Sequence, residues 1–291
     1  MGRPPAVAGQ FYPADGEGLA HAVERCFLDR RGPGELPVRH RRPDRHLRAI
    51  IVPHAGLVYS GAIAALAFAQ VAAERPPAHV VILGVDHHGL ARGAAISVRP
   101  WETPLGPVAP DEELAARIAR PPVAVDEAAH RLEHSIEVEL PFLQYVVPAP
   151  RHVPIMVRFG PFDYLRSVGE RVRDGIADHD VLLIASTDFS HYVPAVEAER
   201  LDRLAIDEIL RRDAGGLYRT VVDRGISMCG VAPTTALLAA LEDEPLRARL
   251  LRWGHSGEVE PMAEVVGYAA IALESDRPLP PEASPARGGG N

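Results

Sequence analysis

The sequence predicts a single α/β domain with a mixed, mostly parallel central sheet flanked by helices. After a Pro- and Arg-rich stretch at 31–46, short apolar runs alternate with longer amphipathic runs, and this alternation is typical of strand–helix–strand units. The length of 291 residues is enough to bury a large core without disulfides. We expect this domain to cover residues 1–275.

Hydrophobic spacing places the individual elements in chain order. A helical repeat of apolar residues over 16–30 predicts the first helix and puts Cys26 on its packed face, where a free cysteine behaves as a small hydrophobe. The runs that follow alternate between strand and helix. The predicted strands cover 48–53, 79–84, 94–98, 153–159 and 181–186, and the predicted helices cover 60–74, 111–119, 135–147, 163–178, 197–212 and 233–241.

The two ends of the chain differ in what they can bury. Residues 1–15 are rich in Pro and Gly but include apolar side chains, and they predict an ordered lead-in. Residues 246–253 and 264–273 predict a closing, partly antiparallel strand pair. Residues 276–291 are rich in Pro, Gly and Ala, offer almost nothing to bury and predict a disordered tail.

Composition excludes several kinds of catalysis. All 31 basic residues are arginine, so no lysine can hold a phosphate in a P-loop, form a Schiff base or serve in a Ser-x-x-Lys nucleophile. Catalysis then depends on His, Asp, Glu, Cys, Ser or Tyr, and 13 histidines are available.

Charge and cysteine usage indicate the surroundings of the protein. The formal net charge is −8, and the only basic cluster is an arginine-rich stretch at 39–48, which argues against nucleic-acid binding. The most apolar stretch is too short to span a membrane, and the N-terminus carries no apolar signal-like run. Cys26 and Cys229 lie far apart, which favours reduced thiols over a disulfide framework. We therefore expect a cytoplasmic protein with no nucleic-acid or membrane partner.

Three predicted strands end in polar residues. The run IIVP leads into His54, VVILGVD leads into His87 and His88, and LLIAS leads into Asp188 and His191. In open α/β sheets ligands bind outside the carboxyl ends of the strands, so these side chains are expected to converge on one crevice. The distance in sequence between the first two strand ends is about one strand–helix–strand unit, which predicts neighbouring parallel strands. Two imidazoles at one sheet edge form half of a metal site.

Each of these residues also has an ordinary structural interpretation. A single histidine after a strand is compatible with a hydrogen-bonded loop residue, and Asp188 with His191 is compatible with a helix-capping aspartate beside a surface histidine. Because three strand ends converge, we favour a shared site. In that site Asp188 would orient His191, which would act as an acid or base near neutral pH.

Two further segments supply candidate groups. Cys229 lies shortly before the predicted helix at 233–241, where a helix N-terminus favours the thiolate that binds metals, although packing alone explains it equally well. Glu133 and His134 open another predicted helix. We expect Glu133 and His134, together with His88, to support the metal ligands or the helix start rather than to bind a metal.

Seven segments of the chain resemble the motifs of one family. PAVAGQFYP, IVPHAG, LGVDHHG, DEEL, EHSIEVELPFLQY, STDFSHY and MCG occur in this order across residues 4–230. Together they resemble the Memo family, which includes AmmeMemoRadiSam system protein B and is similar in fold to class III extradiol dioxygenases. The resemblance implies a pocket in which His54, His87 and Cys229 bind iron or copper. It also implies that Asp188 and His191 form the catalytic pair.

The sequence departs from the extradiol enzymes at one ligand. Those enzymes hold Fe(II) with two histidines and a carboxylate, which leaves positions open for oxygen and substrate. Here the third group is the thiol of Cys229, which makes the site softer and redox-sensitive and shifts its metal preference toward copper or zinc. Ring cleavage therefore does not transfer directly from the resemblance.

Three functions remain open at this point. The leading hypothesis is a redox-active, dioxygenase-like metalloenzyme that holds Fe(II) or Cu and acts on a small molecule. The second is a non-catalytic accessory module that uses the same pocket to hold a peptide or a partner such as a radical-SAM protein, because fold does not fix function. The third is a zinc-dependent hydrolase with the same ligands and a metal-bound water as nucleophile.

Overall fold

The computed structural model describes residues 2–282, and these residues build a ten-stranded sheet between two helical layers. The strands are β1 Leu47–Val52, β2 His79–Val85, β3 Ala94–Ile96, β4 Ala109–Pro110, β5 Val123–Val125, β6 Arg151–Val157, β7 Val181–Ser186, β8 His191–Val193, β9 Leu246–His255 and β10 Val265–Ser275. The helices are α1 Gly16–Leu28, α2 Leu57–Ala73, α3 Glu112–Ile118, α4 Glu127–His130, α5 Leu140–Val146, α6 Phe162–Ile176, α7 Ala195–Arg211, α8 Ala214–Arg224 and α9 Val231–Ala240. Two 3-10 helices cover Glu137–Glu139 and Ser256–Glu258.

The strand order confirms the predicted fold class. The sheet runs β5-β3-β6-β2-β7-β1-β10-β8, with β4 paired to β6 and β9 paired to β10. Its centre is parallel, because β6, β2, β7 and β1 pair in the same direction, whereas β10 is antiparallel to β1. The prediction that β1 and β2 are neighbours is wrong, since β7 lies between them and pairs with both.

The core lies on both faces of this parallel centre. Alternate residues of β1 face opposite layers: Ala49 and Ile51 pack with α3, α6, α7, α8 and α9, whereas Ile50 and Val52 pack with α1, α2 and α5. β1, β2 and β7 are buried along their whole length. Strands buried on both faces have nearly continuous apolar sequences, which explains why these three were recognisable.

Three helices differ from the predictions: α4 and α8 are additional, and α5 is shorter than predicted. α8 was not predicted, because Gly215 and Gly216 in its first turn lower helix propensity. The Asp213 side chain accepts a hydrogen bond from Gly216 N at 2.7 Å, and Gly225 ends the helix with a φ of 62°. Residues 135–147, predicted as one helix, contain the 3-10 helix Glu137–Glu139 followed by α5.

The C-terminal segment lies against the amino-end edge of the sheet as far as it is described. Leu279 N donates to Arg45 O at 2.7 Å, and Glu282 contacts residues next to β7. Of the predicted disordered tail, residues 283–291 lie outside the described residues. Both cysteines are free thiols. No helix in the described part of the chain is long and apolar enough to cross a membrane.

Candidate metal centre

Three parallel strands bring predicted site residues to one edge of the sheet. β1, β7 and β2 lie side by side and run in the same direction, so their carboxyl ends meet. His54, Asp188 and His87 each follow the last residue of their strand by two positions. The three side chains therefore occupy equivalent places in adjacent loops.

Cys229 reaches the same edge from the turn before α9. Gly230 N donates to Thr187 Oγ1 at 3.0 Å, and a Cβ at position 230 would overlap with the Thr187 side chain, so glycine permits this close approach. Cys229 Sγ lies 3.4 Å from His54 Nε2 and accepts a hydrogen bond from Asp188 N at 3.2 Å. The glycine of the MCG motif thus positions the thiol.

A buried serine sets the orientation of the His54 ring. His54 Nδ1 lies 2.7 Å from Ser186 Oγ, and that hydroxyl also lies 2.7 Å from Ser135 O and 2.9 Å from Glu139 Oε1. Burial raises the pKa of Glu139 well above its usual range, so its carboxyl is protonated and the hydroxyl proton is directed at Ser135 O, which only accepts hydrogen bonds. His54 Nδ1–H therefore donates to Ser186. The lone pair of Nε2 then points toward Cys229.

Burial decides which of these groups are charged. It lowers the pKa of His54 well below its usual range, so the ring is neutral. It raises the pKa of the Cys229 thiol, and the nearby Asp188 carboxylate raises it further. Desolvation therefore outweighs the effect of the helix N-terminus, which was expected to favour the thiolate of Cys229. A metal must displace this proton when it binds Sγ.

A buried carboxylate holds His87. His87 Nδ1 lies 2.8 Å from Glu133 Oε1, and His87 N donates to Glu133 Oε2 at 2.9 Å. Burial raises the pKa of Glu133, but hydrogen bonds from His87 and Ser135 outweigh it and hold the pKa below its usual range. The carboxylate fixes Nδ1 as the protonated nitrogen and leaves Nε2 available, which is the arrangement usual for metal-binding histidines.

One ligand atom from each of His54, His87 and Cys229 lies within 4.8 Å of the other two. The donors are two imidazole nitrogens and a sulfur, a set that suits copper and zinc and is accessible to iron. The Nε2 lone pair of His54 points toward Cys229 Sγ. The residues present therefore fit a transition-metal ion.

Asp188 and His191 do not contact each other as the sequence suggested. Asp188 Oδ1 accepts a hydrogen bond from His54 N at 2.9 Å, and burial raises the pKa of Asp188 to about 6. His191 Nδ1 lies 2.7 Å from Phe189 O and 2.8 Å from Ser227 O. Since both are carbonyls, Nδ1 carries the proton and Nε2 is free to accept one.

The two predicted supporting histidines differ in position. His134 stacks on His87 at a centroid distance of 4.7 Å and meets His54 edge-on at 5.4 Å, while Phe11 packs against its ring. Burial lowers the pKa of His134 to about 4. His88 is exposed, and no side-chain hydrogen bond joins it to the described residues of this site.

Sequence reasoning missed Ser186 and Glu139. Ser186 ends a strand that otherwise looks purely apolar, and Glu139 lies in the run IEVELPF, where acids interrupt apolar residues. That interruption was the available signal. Glu139 is fully buried, burial raises its pKa well above the usual range, and its Oε2 has no hydrogen-bond partner among the described residues.

Comparison with known proteins identifies the family. The family model described as Memo-like protein matches residues 3–272. The chain belongs to the Memo-like family. A MEMO1 family protein of Methanopyrus kandleri is 42% identical over 281 residues, covering 94% of this chain and 99% of the relative. A MEMO1 family protein of Methanothermobacter thermautotrophicus is 38% identical, covering 94% of this chain and all of the relative.

A solved structure shares the fold of this Memo-like chain. An uncharacterized protein of Escherichia coli K12 superposes with a TM-score of 0.52 and 15% identity, covering 77% of this chain and 99% of the other. At this identity the likeness concerns the fold alone. The residues matched by the family model include His54, His87 and Cys229 and both members of the Asp188/His191 pair.

Proposed function

We propose that this Memo-like protein binds one iron(II) or copper ion through His54 Nε2, His87 Nε2 and Cys229 Sγ and uses it in redox chemistry on a small molecule. The observation that carries the proposal is the convergence of these three ligand atoms within 4.8 Å. The hydrogen bonds that His54 and His87 donate to Ser186 and Glu133 support it, because each fixes a histidine with Nε2 available.

The chain's own residues have separate tasks in this proposal. The bound metal would supply a Lewis-acidic, redox-active centre with open positions for oxygen or substrate. His191 accepts a proton at Nε2 from a bound molecule, since its Nδ1 is held by two carbonyls. Asp188 holds the loop that carries His54 through the backbone N–H of that residue.

Zinc hydrolysis is the second candidate function, and the thiol donor favours it. Zinc sites combine cysteine and histidine ligands and use a metal-bound water as nucleophile, which His191 could deprotonate. The identity of the metal distinguishes this candidate from the redox proposal.

An accessory role that holds a peptide or a radical-SAM partner predicts partner capture that survives loss of the metal ligands.

The test is anaerobic, metal-replete purification followed by elemental analysis and absorption spectroscopy. We expect near-stoichiometric iron or copper and a thiolate-to-metal charge-transfer band. Cys229→Ser removes the band and His54→Ala removes the metal. Cys26→Ser is the matched control, because Cys26 is buried on α1 away from the site, and it retains both. Metal-free wild-type protein with an intact fold would overturn the proposal, and zinc as the only bound metal would favour hydrolysis.

A further inference from the structure

A second group of metal-binding side chains lies at the opposite edge of the sheet. His79 is the first residue of β2, and His179 lies two residues before β7, which pairs with β2. Glu282 reaches both from the C-terminal segment. β2 leads into His87 at its carboxyl end, roughly 25 Å from His79 at about 3.3 Å per residue. The two groups are therefore separate sites.

The Glu282 carboxylate contacts one nitrogen of each ring, and the two rings meet edge-on at a centroid distance of 5.3 Å. Glu282 Oε1 is 2.9 Å from His179 Nδ1, and Oε2 is 3.5 Å from His79 Nε2. One ligand atom from each residue lies within 4.8 Å of the others. Ligand atoms of a tetrahedral zinc ion are about 3.4 Å apart, given bonds of about 2.0–2.1 Å. Small side-chain movements would bring all three atoms to that spacing.

Two further hydrogen bonds orient these ligands. His79 Nδ1 lies 2.6 Å from Oδ2 of Asp111, a fully buried carboxylate, so Nε2 is directed at Glu282. Asp180 N donates to Glu282 Oε2 at 2.8 Å and holds the carboxylate in place. A carboxylate behind the non-ligating nitrogen is the usual support of a metal-binding histidine. This support is independent of the convergence of the three ligand atoms.

The arrangement also ties the C-terminal segment to the sheet. Leu279 N donates to Arg45 O at 2.7 Å, and Leu279 O accepts from Arg75 Nη2 at 3.4 Å. The side chains of His79, His179 and Glu282 are 10%, 18% and 31% exposed, so an ion can enter from solvent. An ion bound here would join three parts of the chain that are distant in sequence.

We propose that His79, His179 and Glu282 bind a divalent transition-metal ion, with Zn²⁺ the best match, and that this ion fixes the C-terminal segment to the amino-end edge of the sheet. Two imidazoles and one carboxylate form a common zinc donor set, with water in the fourth position. The competing description is a metal-free ion pair in which a protonated His79 lies between Asp111 and Glu282. The hydrogen bond that His79 donates to Asp111 raises the pKa of His79, so a proton competes with the metal and binding is best measured at pH 8 or above.

The test isolates this site from the one containing Cys229. In the full chain carrying His54→Ala and His87→Ala, which disrupts both groups of potential ligands at the carboxyl edge, we expect equilibrium dialysis to find one bound Co²⁺ or Zn²⁺. The Co²⁺ complex should show d–d absorption without a thiolate band. Adding His179→Gln or Glu282→Gln should weaken binding at least tenfold. The matched controls are His21→Gln and Glu260→Gln, which change exposed residues elsewhere.

Melting curves complete the test. Zn²⁺ should raise the Tm of the His54→Ala/His87→Ala protein and leave it unchanged once His179→Gln is added. Equal Tm values of the variants in chelator would show that each is folded. Absence of bound metal in the double variant, or equal binding after His179→Gln and Glu282→Gln, would overturn this proposal. Neither result bears on the site containing Cys229.

Discussion

Ser186, which the sequence did not single out, fixes the orientation of the His54 ring. It accepts the Nδ1 proton while its own hydroxyl is directed at Ser135 O. We expect Ser186→Ala to weaken metal binding by about ten- to a hundredfold, because the ring loses the acceptor that fixes its tautomer. Competition with a chromophoric chelator measures this change. Ser167→Ala, on the exposed face of α6, should leave affinity unchanged, and an unaltered affinity in Ser186→Ala would refute the role of this hydroxyl.

His191 provides a second test at the scale of single residues. Its Nδ1 is held by two backbone carbonyls, and it lies outside the group of three candidate ligands. His191→Ala should therefore retain the bound metal and the thiolate band while abolishing any proton transfer that Nε2 performs. Elemental analysis and absorption spectra of the anaerobic protein check this. Loss of the metal in this variant would make His191 a ligand instead.

The candidate ligands could be identified from sequence, but the hydrogen bonds that Ser186 makes to His54 and Glu139 could not. His54, His87 and Asp188 follow strands that are recognisable as apolar runs, so their common edge was predictable. The link from His54 through Ser186 to Glu139 depends on how a 3-10 helix packs against β7, and no local pattern encodes that distance. The position of β7 between β1 and β2 is equally non-local.

At the scale of elements, the 3-10 helix Glu137–Glu139 anchors the N-terminal lead-in. Glu137 is fully buried and pairs with Arg3, and it accepts hydrogen bonds from Ala6 N at 2.8 Å and Val7 N at 3.0 Å. The Arg3 guanidinium also lies 4.0 Å above the Trp101 ring. The Glu137 carboxylate is thus one of the groups that hold the ordered lead-in predicted from the sequence.

We expect Glu137→Ala to destabilise the protein by about 3–5 kcal/mol, because Arg3 would remain buried without its partner. Urea unfolding of the metal-free protein measures the change in free energy of unfolding. Glu197→Ala removes an exposed pair with Arg200 on α7 and should leave the unfolding curve in place. A Glu137→Ala curve that coincides with the wild-type curve would show that the buried pair adds nothing.

The architecture of the whole molecule explains why two candidate metal sites coexist. The parallel centre directs all carboxyl ends to one edge and all amino ends to the other, so β2 and β7 contribute residues to both. Between the two edges, β2 and β7 are buried along their whole length. The sites are therefore expected to load independently.

Buried histidines also affect the stability of the whole molecule. His130 and His152 meet the Trp101 ring at centroid distances of 5.5 and 5.7 Å. Burial, with a smaller contribution from the Arg3 charge, lowers the pKa of each to about 4. One ring nitrogen of each has no hydrogen-bond partner among the described residues. Both rings are therefore neutral in the folded protein over most of the pH range.

The stability of the metal-free protein should fall as the pH drops from about 6.5 to about 4. In this window the unfolded chain binds protons at these histidines and the folded chain does not, so each lowered pKa favours unfolding. His152→Gln cannot titrate and should reduce the difference in unfolding free energy between pH 7.5 and pH 4.5 by about 2 kcal/mol, at about 1.4 kcal/mol per pKa unit. Urea unfolding at the two pH values measures this difference. The exposed His21→Gln should preserve it, and an undiminished difference in His152→Gln would contradict the assignment of acid sensitivity to this buried ring.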